Sequence, residues 1–189
     1  MIDRPAWTDG LADHPSLLHR VQGLVLGQEL CDAVLRHLTA ALPHEGVGLL
    51  ATTWEEVGSP LQPTQSSALG PQSFVRAMKF YPGRNVDASP SRFTMDPVEV
   101  LHALREIDEH GWWLGAIVHS HPHGPARPSA TDLREARYPD ALTVIVSLAE
   151  QPARLRAWRL PVSTTQPGAI ASTIEVPVWV RGAPPALGA

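Results

Sequence analysis

Residues 113–122, Trp113-Leu114-Gly115-Ala116-Ile117-Val118-His119-Ser120-His121-Pro122, read as a buried strand that ends in two histidines. The first six are apolar and partly β-branched, which suits a strand covered on both faces. Positions i and i+2 of a strand point to one face, so His119 and His121 would project together from its C-terminal end. A loop rich in Pro and Gly follows at 123–128. Ser129-Ala130-Thr131-Asp132 then has the form of a helix start, with Ser129 as the cap and Asp132 three residues on. Held in that first turn, the Asp132 carboxylate can face back across the loop toward the imidazoles. Two histidines and a carboxylate make three protein ligands for a divalent metal, with a fourth position open. Hydrolytic zinc sites are built that way, whereas structural zinc is closed by four protein ligands. The plainer reading is a metal-free cap and a hydrogen-bonded histidine pair. Against it, this composition would produce the four residues at these offsets only on the order of once in a thousand arrangements.

Working outward, Asp96-Pro97 opens a helix, with Asp96 as cap and Pro97 at the first helical position. Glu99 is expected to complete a capping box with Asp96. Val98, Leu101, Leu104 and Ile107, flanked by Val100, are expected to form the apolar face, and Gly111 to end the helix. Residues 73–81 and 48–53 read as strands, Pro82-Gly83 as a turn and 55–71 as a loop. Residues 28–41 carry Leu30, Val34, Leu35 and Leu38 at helical spacing, with Leu42 beyond, and Pro43 ends that helix. Residues 21–26 read as a first strand. Downstream, 132–138 reads as a short helix, and 142–148, 154–160 and 174–180 as strands. No internal repeat is present. Strands and helices mixed in this way predict one α/β domain at 21–180, a central mixed sheet flanked by helices, with an arm at 1–20 and a tail at 181–189.

The 189 residues carry a net charge of −4, which argues against a general nucleic-acid surface. Arg154, Arg156 and Arg159 alternate with Leu155 and read as the exposed face of a strand. The single cysteine, Cys31, forbids an internal disulfide and excludes both a Cys-rich zinc finger and the His/Cys/Cys ligation of nucleobase deaminases. It reads as a helix core residue, not a catalytic thiol, and suits a reducing cytoplasm. No basic region with an apolar core opens the chain, and no apolar run could span a bilayer, so a cytoplasmic protein without signal peptide or membrane contact is expected.

A metal-assisted hydrolase also needs a general base. Glu45, within Pro43-His44-Glu45-Gly46-Val47-Gly48-Leu49-Leu50, lies between a helix and a strand, where an acidic residue alone is ordinary. His44-Glu45 does not begin a His-Glu-x-x-His helix, because no second histidine follows. The combination, however, resembles the JAMM (MPN+) family of zinc metalloproteases in its bacterial stand-alone form. Glu45, His119-Ser120-His121, seven residues, Ser129, two residues and Asp132 match that pattern without a departure in spacing. Phe80-Tyr81-Pro82 with Asn85 and the helix and strand at 96–118 support it, and the likeness covers residues 21–160.

The resemblance implies a cytidine-deaminase-like/MPN sandwich in which His119, His121 and Asp132 hold Zn2+. It implies that Glu45 activates the attacking water and passes its proton to the departing amine, and that Ser129 donates to the developing oxyanion. The implied reaction is hydrolysis of the amide bond after the C-terminal diglycine of a ubiquitin-like sulfur-carrier protein, whose side-chain-free tail fits a narrow channel. Tyr138-Pro139-Asp140 leads almost directly to the next strand, so the large insertion by which deubiquitinating relatives grip ubiquitin is missing. Loop 55–71 is expected to be a flap over the tail. Two alternatives fit less well. A non-catalytic MPN-type binding module would lack the ligands present here, and a RadC-like DNA-repair-associated protein is disfavoured by the acidic balance and the absence of a DNA-binding helix pair. His44 and His123 read as solvated, and Trp112-Trp113 as packing at a strand entrance. Nothing in the pattern specifies an oligomeric state.

Overall fold

Alternation along two adjacent strands sets the architecture, because one face of each is claimed by a different helix. The computed structural model describes residues 21–57, 72–138, 140–161 and 172–182. The elements are β1 (Val21–Gly27), α1 (Gln28–Ala40), β2 (Val47–Val57), β3 (Gln72–Gly83), α2 (Pro97–Glu109), β4 (Trp113–His121), α3 (Ala130–Glu135), β5 (Leu142–Ser147), β6 (Arg154–Arg159), β7 (Ile174–Val176) and β8 (Val178–Arg181). The strands form one eight-stranded sheet in the order β7-β6-β5-β4-β2-β3-β1-β8. β2 runs antiparallel to β3 and β4, whereas β4 runs parallel to β5 and β1 parallel to β3 and β8. The expected mixed α/β architecture is therefore present.

Leu50, Ala116 and Val118 pack with Cys31, Val34 and Leu38 of α1. Val47, Leu49, Ala51 and Tyr81 pack with Ala103 and Ile107 of α2, with Ile117 against them. Buried on both faces, β4 needs the near-continuous apolar run that its sequence has. His119 and His121 continue the Ile117 side, which places them on the α2 face of the sheet.

Several expectations are corrected. β2 runs through Glu55 to Val57, into the expected loop, and 58–71 lies outside the described residues. Pro82 and Gly83 do not turn but extend β3 opposite Gly48 and Val47. Proline is tolerated there because the β1 pairing with β3 stops at Arg76, which leaves this end of β3 unpaired on that side. The apolar face of α2 is Val100, Ala103, Leu104 and Ile107, whereas Val98 is 62% and Leu101 48% exposed. Asp96 does cap α2 by accepting from Val98 N at 2.8 Å. Glu99 does not reciprocate. Its carboxylate accepts from Arg84 N at 2.6 Å, while Asp96 N donates to Arg84 O at 3.0 Å.

Residues 174–180 form two strands on opposite edges of the sheet, broken at Pro177, which has no N–H for a ladder. One residue cannot cross a flat eight-stranded sheet, so the sheet curls until its edges approach. Leu24 N donates to Pro177 O at 2.9 Å and Arg159 Nη2 to Val21 O at 2.8 Å across that seam. Arg159 is thus drawn inward and Arg156 pairs with Glu175, so the arginines do not form the solvated row expected of them. The expected arm at 1–20 and most of the tail lie outside the described residues.

Candidate metal centre and active site

His119 is fully buried and His121 is 8% exposed. Their Nε2 atoms stand 3.2 Å apart. Asp132 Oδ1 lies 3.2 Å from His119 Nε2, and Asp132 Oδ2 lies 3.4 Å from His121 Nε2. Zinc bonds of 2.0–2.1 Å in a tetrahedron put neighbouring ligand atoms about 3.3 Å apart. Each imidazole thus has an Asp132 oxygen at about that spacing, and one ligand atom from each of the three residues lies within 4.8 Å of the others, close enough to hold one small divalent ion. They are the one group among the described residues whose histidine, cysteine or carboxylate atoms are clustered closely enough to hold a metal.

The groups behind His121 agree with that fit. His121 Nδ1 donates to Pro125 O at 2.9 Å, which leaves the Nε2 lone pair facing Asp132 and His119. Ser147 Oγ donates to Gly124 O at 2.7 Å and Trp158 Nε1 to Ala126 O at 3.1 Å, so β5 and β6 fasten the loop that carries Pro125. His119 Nδ1 is buried with no hydrogen-bond partner among the described residues. The Phe93 ring stacks on this imidazole instead, with centroids 4.6 Å apart and planes at 29°.

Asp132 is placed by local backbone chemistry. Ser129 Oγ accepts from Asp132 N at 3.1 Å and Ser129 N donates to Asp132 Oδ2 at 2.6 Å, a reciprocal capping box. Burial opposes charge on Asp132, but the two imidazoles and the Ser129 N–H outweigh it and hold the carboxyl well below the usual range. Burial lowers the pKa of His119, which favours the neutral ligand form. For His121 burial also presses downward, but its bond to Asp132 and the Pro125 carbonyl prevail and raise it.

Glu45 lies outside the three-ligand group and is 5% exposed. Burial pushes its carboxyl up to about 7, with His121 acting to lower it and Asp132 to raise it. The carboxylate is thus in the electrostatic field of the ligands without being one of them. Two segments grip its backbone. Gly46 and Ser120 exchange hydrogen bonds on one side, and the loop at 84–96 provides Ser89 O and Asn85 Nδ2 on the other. A cavity of about 470 Å3 opens beside His119 and Asp132, lined by Val47, Leu49, Phe93, Met95 and Ile117, with Arg92, Arg137 and Tyr138 also on its wall.

All five expected site residues therefore lie in one region, though Glu45 and Ser129 contact it differently from the ligands. Of the residues read as solvated, His123 is exposed and His44 half-buried. Trp112 packs at the entrance to β4 and stacks on His110. In the sequence Ser120 and Asn85 stand only as matches to the family pattern, and Phe93 carries no signal; only the folded loop shows what Asn85 bonds.

Residues 27–161 match the family described as prokaryotic homologues of the JAB domain. The chain belongs to this family. The chain is also similar to several named proteins. A Thermus thermophilus protein called a probable TtuB-protein conjugate cleaving protease is 36% identical over 61% of this chain and 66% of its own length, just under two thirds. The CysO-cysteine peptidase of Mycobacterium tuberculosis is 30% identical over 72% of this chain and 82% of its own. A Desulfitobacterium hafniense protein of known solution structure superposes with a TM-score of 0.64 at 28% identity, covering 85% of this chain and 94% of that one. As expected, this JAB-domain chain is of the JAMM type, and its relatives are named as enzymes. Among the described residues no helix is long and apolar enough to cross a membrane.

Proposed function

We propose that this chain is a zinc-dependent peptidase that hydrolyses the amide bond after the C-terminal diglycine of a ubiquitin-like sulfur-carrier protein. The observation that carries the reading is the convergence of His119, His121 and Asp132, whose imidazole Nε2 atoms stand 3.2 Å apart and each meet an oxygen of the Asp132 carboxylate at 3.2 and 3.4 Å, beside the buried acid Glu45. His119, His121 and Asp132 would hold the zinc ion, which when bound would supply Lewis acidity toward the scissile carbonyl and the attacking water.

Glu45 is the general base. Its buried carboxylate, in the field of His121 and Asp132 without being a ligand, accepts a proton from the attacking water and releases it to the departing amine. Ser129 Oγ already accepts from Asp132 N, so its own hydrogen remains free to donate to the oxyanion. The curated relatives named for TtuB-protein conjugates and for CysO-cysteine support a substrate in which a protein's C-terminus is joined to an amine. Glycine at the last positions suits a channel that buries its occupant, because no side chain must be accommodated. The only cysteine is the buried, unbridged Cys31, which is compatible with action in the reducing cytoplasm.

The test is cleavage of a small ubiquitin-fold sulfur carrier extended beyond Gly-Gly by one cysteine or by a short peptide, followed by mass spectrometry. Wild-type protein loaded with zinc should release the diglycine end, and Glu45→Gln should retain zinc but lose all except a slow residual cleavage. Activity retained in Glu45→Gln would remove the assigned base, and no cleavage of any such carrier by the wild type would remove the substrate class.

A further inference from the structure

Asn85 lies in the loop between β3 and α2, and all of its side-chain hydrogen-bonding directions are used. Asn85 Nδ2 donates to Glu45 O at 2.9 Å and to Arg92 O at 3.0 Å. Asn85 Oδ1 accepts from Asp87 N and Thr94 N, each at 3.1 Å. The two halves of the loop are further joined by Val86 N donating to Thr94 O at 2.8 Å and by the Asn85–Met95 bridge. Ala88 takes a left-handed backbone with φ of 45°, unusual for a residue with a Cβ, so surrounding bonds hold it there. The next residue, Ser89, turns its carbonyl to accept from Glu45 N at 2.8 Å. Glu45 is therefore held at its N–H and its carbonyl by one loop whose shape depends on one amide. The same loop presses Phe93 on His119, and Arg92 lies 3.5 Å from Glu135 on α3. It spans the base, one ligand histidine and the helix that begins at the Ser129 cap and carries Asp132.

We propose that Asn85 is a positioning residue: its amide fixes the loop that sets where the Glu45 carboxylate stands relative to the metal ligands. The inference rests on the reading of Glu45 as the general base. Neither Asn85 nor the loop supplies a reacting group; they act through the backbone of Glu45. Among simple substitutions, Asn85→Asp separates the two halves of the role. It keeps an oxygen for Asp87 N and Thr94 N, but it replaces the donor to Glu45 O and Arg92 O with an oxygen that repels both carbonyls.

The experiment compares wild type, Asn85→Asp, Glu45→Gln and the double variant, each loaded with zinc, in steady-state and single-turnover cleavage of the carrier extended by cysteine. Amide hydrogen exchange of the metal-free proteins is measured in parallel. Asn85→Asp should bind one zinc per chain, lower kcat by about 10- to 100-fold with little change in KM, and speed exchange at Glu45 and Gly46 more than in β5 or β6. In the Glu45→Gln background the same substitution should cost no further rate, because nothing remains to be positioned. An equal loss of rate in both backgrounds, or unchanged exchange at Glu45, would overturn the proposal. Should Asn85→Asp fail to fold, Asn85→Ser, which restores a short donor, is expected to recover part of kcat, and a folded Asn85→Ser as active as wild type would equally overturn it. Absence of cleavage by the wild type itself would count against the carrier substrate, while exchange at Glu45 would still decide the role of Asn85.

Discussion

Gly46 and Ser120 are locked together by two hydrogen bonds: Gly46 N donates to Ser120 Oγ at 2.9 Å and Ser120 N donates to Gly46 O at 3.0 Å. The residue between the two ligand histidines thereby fixes the residue after Glu45. The pair continues the β2–β4 register, in which Val47 stands opposite His119. Ser120 is fully buried, so removing its hydroxyl strands the Gly46 N–H away from water. Ser120→Ala should destabilise the protein by about 1–3 kcal/mol. Urea unfolding of the metal-free protein measures this, and a change within error would show that the hydroxyl is not needed to satisfy Gly46.

Glu45 should make the metal-free protein less stable as pH rises. Its folded-state pKa of about 7 lies above the ordinary value of 4.5. Between those values the folded chain keeps a proton that the unfolded chain has lost. The stabilisation is therefore complete below about 4.5 and is lost as pH climbs through 7, by at most about 3 kcal/mol. Glu45→Gln cannot titrate, so its advantage over wild type in the presence of a chelator should grow from pH 5 to pH 8. Denaturant midpoints at the two pH values check this, and a constant difference would contradict the buried, field-exposed placement of the carboxylate.

Gly48 admits no side chain. A Cβ there would lie 2.6 Å from the Tyr81 carbonyl oxygen and 2.4 Å from the Phe80 ring. The ring could shift, but the carbonyl belongs to the neighbouring strand. Gly48→Ala should cost about 1–3 kcal/mol by overpacking, and because β2 leads directly from Glu45, the proposed cleavage activity should fall with it. A thermal melt and the carrier assay test both, and wild-type stability would show that β2 and β3 are less closely apposed.

What could be read in advance follows from how local each feature is. His119, His121 and Asp132 fall within fourteen consecutive residues, and strand alternation plus a capping box suffice to bring them together. Glu45 is distant in sequence and chemically ordinary, and only the family pattern singled it out. The expected apolar face of α2 includes the exposed Val98 and Leu101, because helical spacing alone does not say which apolar stripe the sheet will meet; the stripe it does meet includes the buried Ala103. The break at Pro177 was visible, but not its consequence, since the curling that joins the sheet edges depends on partners across the whole fold. Asn85 is legible as a match to the family pattern, whereas its bond to Glu45 O joins residues forty apart.

The most direct test of the metal centre is calorimetric titration of the chelator-treated protein with Zn2+. One ion per chain should bind the wild type and Glu45→Gln with similar affinity, while His119→Ala should lose at least about tenfold in affinity. Equal binding by His119→Ala and wild type, or loss of binding in Glu45→Gln, would contradict the division of labour between three ligands and a separate base.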